Sequence, residues 1–164
     1  MIGVDGQTRD EQIREISAPI QGDAASPYHG KTVHYLLRDL KISTDATGAL
    51  VTATGQSGTL KLSIEGRYLH VDIDTYGLMA LAGATCTRVI ITLPDGLAAL
   101  LREPLSGHNN IRQVIVPCGI ISNGMDATGY MVVEGPALVF VRRGAAFAIG
   151  DLGLYGQLRV EVNV

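Results

Sequence analysis

Leu158-Arg159-Val160-Glu161-Val162-Asn163-Val164 alternates apolar and polar residues without a break. Successive side chains of an extended chain point to opposite faces, so this period of two gives one dry face and one wet face. The chain is therefore expected to finish inside a sheet. The same pattern recurs upstream. Leu60, Leu62 and Ile64 alternate with Lys61, Ser63 and Glu65; beyond Gly66, Leu69, Val71 and Ile73 alternate with Tyr68, His70, Asp72 and Asp74. Two such runs about a glycine turn predict a β-hairpin.

Further strands are expected over residues 49–54, 78–83, 87–93, 113–116, 120–121, 129–142 and 145–149, with turns at Pro94-Asp95-Gly96 and Asn123-Gly124. Within 129–142, Gly135-Pro136 fits a type II′ hairpin turn, because glycine supplies the positive φ of the first central position. Gly150, Gly153 and Gly156 are expected to separate 145–149 from the terminal strand. This makes about nine or ten short strands spaced by roughly 8–12 residues, the signature of an all-β sandwich. The connections are too short for parallel crossovers. The fold class is therefore an antiparallel β-sandwich or jelly-roll-like head. Ahead of it, Asp10 could cap a helical turn carrying Ile13 and Ile16, and Val33, Leu36, Leu37 and Leu40 fall at helical spacing. The chain divides into a partly helical docking or oligomerisation segment, 1–45, and a head domain, 46–164.

The 164 residues suffice for one domain with a real core. A net charge of −3 with no basic block argues against tight, sequence-independent nucleic-acid binding. No apolar run of about 18 residues occurs, so no membrane insertion is expected. The N-terminus lacks the charged-then-apolar layout of a signal peptide, which predicts synthesis in a cytoplasm. Cys86 and Cys118 sit in apolar, strand-like contexts and read as small buried hydrophobes rather than a disulfide.

No catalytic motif accompanies these strands. His29, His34, His70 and His108 lack metal-ligand spacing, so neither metal nor cofactor is expected. Ser57 and Ser106 lie beside glycines but outside a nucleophile elbow. Gly55-Gln56-Ser57-Gly58 lacks the ending of a phosphate loop. Arg142-Arg143 could grip an acidic partner or simply end a strand in solvent. Asp72 and Asp74 share one strand face, a spacing that could flank Ca²⁺ or a glycosidic bond, but the wet face of an alternating strand explains them more simply. If a sugar is bound, the stripe Tyr68, His70, Asp72 and Asp74 is the candidate surface, since rings and carboxylates suit the faces and hydroxyls of sugars. An enzyme is not expected.

Taken in order, residues 88–164 resemble the C-terminal head of bacteriophage tail-fibre and receptor-binding proteins. The stretch from Arg88 through Leu93-Pro94-Asp95-Gly96 resembles their strand ending in a Leu-Pro-x-Gly turn, and Pro104 falls where a further proline often follows. Ile111 to Pro117 resembles the next strand. The hairpin about Gly135-Pro136, and the segment from Phe147 through Gly153-Leu154-Tyr155-Gly156 to Val164, resemble the closing elements. The apolar run Leu97 to Leu101 departs from that pattern. The resemblance implies a virion tail or baseplate appendage, a homotrimeric, non-enzymatic adhesin that binds host cell-surface saccharide and docks through its N-terminal segment onto other virion proteins. A hydrophobic content of 46% also suits an assembly that hides dry surface between copies, with Leu36, Leu37, Leu97, Leu100 and Leu101 as candidate contacts. Two other readings compete: a structural virion protein, such as a capsid decoration or tail-assembly component, and an unrelated lectin or carbohydrate-active enzyme.

Overall fold

The alternating runs become eleven strands. In a computed structural model describing residues 26–54, 58–75, 79–94, 97 and 115–162, these are β1 (Val33–Leu36), β2 (Ile42–Thr44), β3 (Leu50–Ala53), β4 (Thr59–Glu65), β5 (Tyr68–Asp74), β6 (Met79–Ala82), β7 (Arg88–Thr92), β8 (Ile115–Ser122), β9 (Met125–Glu134), β10 (Ala137–Arg142) and β11 (Gly150–Glu161). Every named strand pair is antiparallel. They form one curled, sandwich-like sheet in the order β1-β4-β5-β11-β8-β9-β10-β7-β2, with β6 branching from β11 and β3 from β6. Among the described residues, no helix is long and apolar enough to cross a membrane.

The β4–β5 hairpin forms as its pattern requires. Leu60, Leu62, Ile64, Leu69, Val71 and Ile73 are all buried, and Gly66 turns at a φ of 59°. Gly135 opens the two-residue turn between Glu134 and Ala137 at a φ of 55°, as a type II′ turn demands. Two sequence expectations are corrected. The run with helical spacing is instead strand β1 followed by one 3-10 turn, Leu37–Asp39. Val33 and Tyr35 face Leu62 and Leu60 across the β1–β4 ladder, and Leu37 then donates its N–H to the Gly58 carbonyl at 2.9 Å. Once Tyr35 is counted as apolar, Val33, Tyr35 and Leu37 satisfy a period of two equally well, and the β4 edge decides between them. The second correction concerns Gly150, Gly153 and Gly156, which lie inside β11 instead of breaking it. A Cβ on Gly153 would meet Ile121 Cβ at 3.0 Å, and one on Gly156 would meet Cys118 Cβ at 3.1 Å. These glycines make room for neighbouring strands.

β11 joins the halves of the sheet. One of its edges pairs with β8 through Leu152 to Tyr155. The other pairs first with β6 (Leu152 opposite Met79) and then with β5 (Tyr155 opposite Asp74). The ladder breaks between these partners, and there Leu154 N–H donates to Thr75 Oγ1 at 3.0 Å, with Thr75 and Leu154 both fully buried. A side-chain hydroxyl thus replaces the missing backbone acceptor where the sheet divides.

Two polar devices hold the other half. The Asp45 carboxylate accepts from the N–H groups of Thr87 and Arg88, both at 2.9 Å, and from the Thr87 hydroxyl, fixing the start of β7. Burial pushes this carboxyl up, but the hydrogen bonds from Thr87 and Arg88 outweigh it and hold it below its ordinary value. On the outer face, Ile90, Val139 and Val132 form one row across β7, β10 and β9. Arg88 and Glu134 lie one row to either side and meet diagonally in a bidentate pair at 2.8 and 3.1 Å. Val132 and Val139, beneath this crossing, are each only 2% exposed, so β10 is buried on both faces.

Cys86 and Cys118 are free and buried, and burial raises both thiols to about 11. The helical turn expected near Asp10, the rest of residues 1–25, Ser57, Ser106 and His108 lie outside the described residues.

Candidate functional site

The register assembles a broad polar face on the outside of β4, β5 and β11. Because the inward residues of all three strands are apolar, their outward partners fall into aligned rows. Glu65, Tyr68 and Glu161 form one row; Ser63, His70 and Arg159 the next; then Lys61, Asp72 and Gln157; and last Thr59, Asp74 and Tyr155. The four residues singled out from the sequence, Tyr68, His70, Asp72 and Asp74, thus form the middle column. His34 extends the Lys61 row through β1, and Gly119 extends the Tyr155 row through β8.

Contacts within this face are lateral and mostly solvated. Gln157 Nε2 donates to Asp72 Oδ2 at 3.3 Å. His70 Nε2 lies 3.8 Å from the Glu65 carboxylate, and Arg67 pairs with Glu161 at 2.8 Å. The Arg159 guanidinium sits 3.9 Å from the centroid of the Tyr68 ring, a cation–π contact. Acidic groups (Glu65, Asp72, Asp74, Glu161) are interspersed with basic ones (Lys61, Arg67, Arg159), so the face is rich in both donors and acceptors without a strong field of one sign. Such a surface suits a neutral, polyhydroxylated ligand.

The spacing of Asp72 and Asp74 follows from strand alternation, with Leu69, Val71 and Ile73 buried between the outward residues. Among the described residues, no three His, Cys, Asp or Glu side chains gather as metal ligands would. Arg142, weighed as a grip for a partner, turns inward: its guanidinium donates to Ser122 Oγ at 3.2 Å and to the Ala146 carbonyl at 2.9 Å. Arg143 is exposed.

Of the candidate subunit contacts, Leu37 and Leu97 are 1% and 0% exposed within the single chain, where both belong to its core. Their apolar surface is already covered, and they offer none to a second copy. Leu36 is half-buried on β1, and Leu100 and Leu101 lie outside the described residues. Sequence reading missed the residues flanking the stripe, namely Lys61, Tyr155, Gln157 and Arg159. The period of two running from 151 through 161 carried the signal for those on β11, but its glycines obscured it.

No family model and no curated protein matches this sequence. Among solved structures, the chain is similar to the head domain of phage bIL170, described in connection with a common fold for receptor-binding domains of lactococcal phages. The alignment covers 76% of this chain and 100% of that one, at 13% identity and a TM-score of 0.44.

Proposed function

We propose that this protein is a phage-type virion appendage, a non-enzymatic homotrimeric adhesin that binds host cell-surface saccharide through the outer face of β4, β5 and β11. One observation carries the reading: the rows centred on Tyr68, His70, Asp72 and Asp74 present aromatic, carboxylate, amide and cationic groups together on an open sheet face. The ordered resemblance of residues 88–164 to tail-fibre heads supports the virion context. Open faces bind single sugars weakly, and three copies on one particle would multiply a weak affinity into firm attachment. Exposed Ile115 and Tyr130, on the far half of the sheet, supply apolar surface where copies could meet. Residues 1–45 carry the docking role, their 33–44 part anchored in the sheet through β1 and β2.

The test is light scattering after size exclusion across a tenfold concentration range, followed by attachment to host cells in competition with their soluble surface polysaccharide. A species near three times the 17.4 kDa chain mass, with attachment that the polysaccharide abolishes, is expected. A monomer at every concentration refutes the trimer. Attachment to virions with no affinity for the polysaccharide refutes the adhesin and selects the structural virion protein.

A further inference from the structure

We infer that Tyr155, and not Tyr68, is the ring on which a pyranose stacks. The inference rests on the saccharide-binding reading above and names the chemistry of its subsite.

The two rings differ in what already lies on them. Arg159 occupies a face of Tyr68 with its guanidinium 3.9 Å from the centroid, so a sugar must displace a cation before it can stack there. Tyr155 is set differently. Its outward neighbours along and across the sheet are Gly153, two residues back on β11, and Gly119, opposite on β8. A Cβ on Gly153 would lie 2.9 Å from Tyr155 Cε2, and one on Gly119 would lie 3.8 Å from Cδ2. The Cδ2–Cε2 edge therefore runs into the trough left by two missing side chains, beside Ile121. The ring reclines along the sheet instead of standing off it, and it stays half-exposed. Packing has already restricted its rotamer, so little side-chain entropy remains to be lost on binding.

Polar groups line one margin of this ring. Asp74 is its direct cross-strand partner, and Gln157, hydrogen-bonded to Asp72, is the next outward residue of β11. The electron-rich ring face attracts the C–H groups on one face of a pyranose, which carry partial positive charge. The carboxylates of Asp74, in the same row, and of Asp72, one row along, would accept from vicinal hydroxyls. The fitting ligand is a neutral pyranose with an unbroken C–H face and adjacent equatorial hydroxyls at its rim. The glycines are part of the site, since a side chain at 153 would lift the ring.

The experiment titrates the isotope-labelled full chain with methyl β-glucopyranoside, methyl β-galactopyranoside and N-acetylglucosamine, following backbone and tyrosine-ring resonances. The largest shifts are expected at Tyr155, Gly153, Gly119 and Asp74. Tyr155→Ala should weaken binding roughly fivefold, the equivalent of about 1 kcal/mol of stacking, while Tyr155→Phe stays within about twofold of wild type and Tyr68→Ala weakens binding less than Tyr155→Ala does. Shifts centred on Tyr68, with binding lost in Tyr68→Ala and kept in Tyr155→Ala, overturn the Tyr155 assignment and leave the saccharide reading standing. No response on this face to any of the three sugars overturns the saccharide reading and the inference with it. The wild-type shift map decides between these outcomes even if a variant folds poorly.

Discussion

Thr75→Val removes a single hydroxyl at the point where β11 changes partners. Thr75 is fully buried and accepts from Leu154 N–H at 3.0 Å. Valine has nearly the same shape, so no cavity opens; the substitution leaves one buried N–H without an acceptor. Such an orphan costs about 1–3 kcal/mol. With about 2 kcal/mol as the central value, a chain of this size should lose about 4–8 °C of melting temperature. Thr75→Ser keeps the acceptor and loses only a methyl group, a cost of about 1 kcal/mol. The expected order of stability is therefore wild type, then serine, then valine. Urea unfolding followed by circular dichroism at one fixed protein concentration reads these differences, and the fixed concentration keeps any subunit association from contributing to them. A Thr75→Val protein within about 0.5 kcal/mol of wild type, or less damaged than Thr75→Ser, would show that the hydroxyl is not what satisfies the break in the ladder.

Three further outcomes follow. Gly129→Ala should cost about 3 kcal/mol or abolish folding, because its Cβ would fall 2.2 Å from both the Val141 carbonyl oxygen and Ile120 Cδ1; a melting temperature equal to wild type would contradict that packing. Asp45→Ala should lower stability by about 1 kcal/mol at neutral pH, a modest figure because the carboxylate is solvent-exposed. Since the folded carboxyl titrates below its ordinary 3.8, this contribution is fully present above that pH and fades as pH falls through the folded value, so the gap between wild type and variant should narrow in acid; a constant gap down to about pH 3 would rule the mechanism out. Cys86 and Cys118, buried and with thiols raised to about 11, should resist a thiol reagent at about pH 8 in the folded protein and react together on unfolding; fast labelling of either one in the native state would mean that its strand opens readily.

The hairpin from Leu60 to Ile73 was legible because its two runs each alternate cleanly and a single glycine separates them. From that followed the stripe of Tyr68, His70, Asp72 and Asp74, whose facing needs only the period of two. The columns beside it depend on which strand lies next to β5, and β11 is 81 residues away at the Asp74–Tyr155 pairing. No local pattern encodes that choice. Strand β1 misread as a helix shows the same limit at short range: Val33 and Leu37 fitted both periods, and the β4 edge settled the matter. The glycines of β11 were misread because their role is to leave space for Ile121, Cys118 and the Tyr155 ring, atoms that only the assembled sheet brings close.

The central place of β11 also governs the order in which this chain can acquire its structure. The β4–β5 and β8–β9–β10 ribbons close through short turns and can form on their own, within microseconds for an isolated hairpin. Each nonetheless keeps an unpaired edge until β11, which follows all its partners in the sequence, slots between β5 and β8. During synthesis, the edge of β5 and the edge of β8 must both wait for a strand still inside the ribosome, exposed as templates for mispairing with neighbouring chains. Closure across such separations is slow, and it would be the rate-limiting event of maturation. The polar side chains that dot the outer face of β5, namely His70 and the carboxylates Asp72 and Asp74, would then have an earlier task than recognition: keeping sister chains apart until β11 arrives.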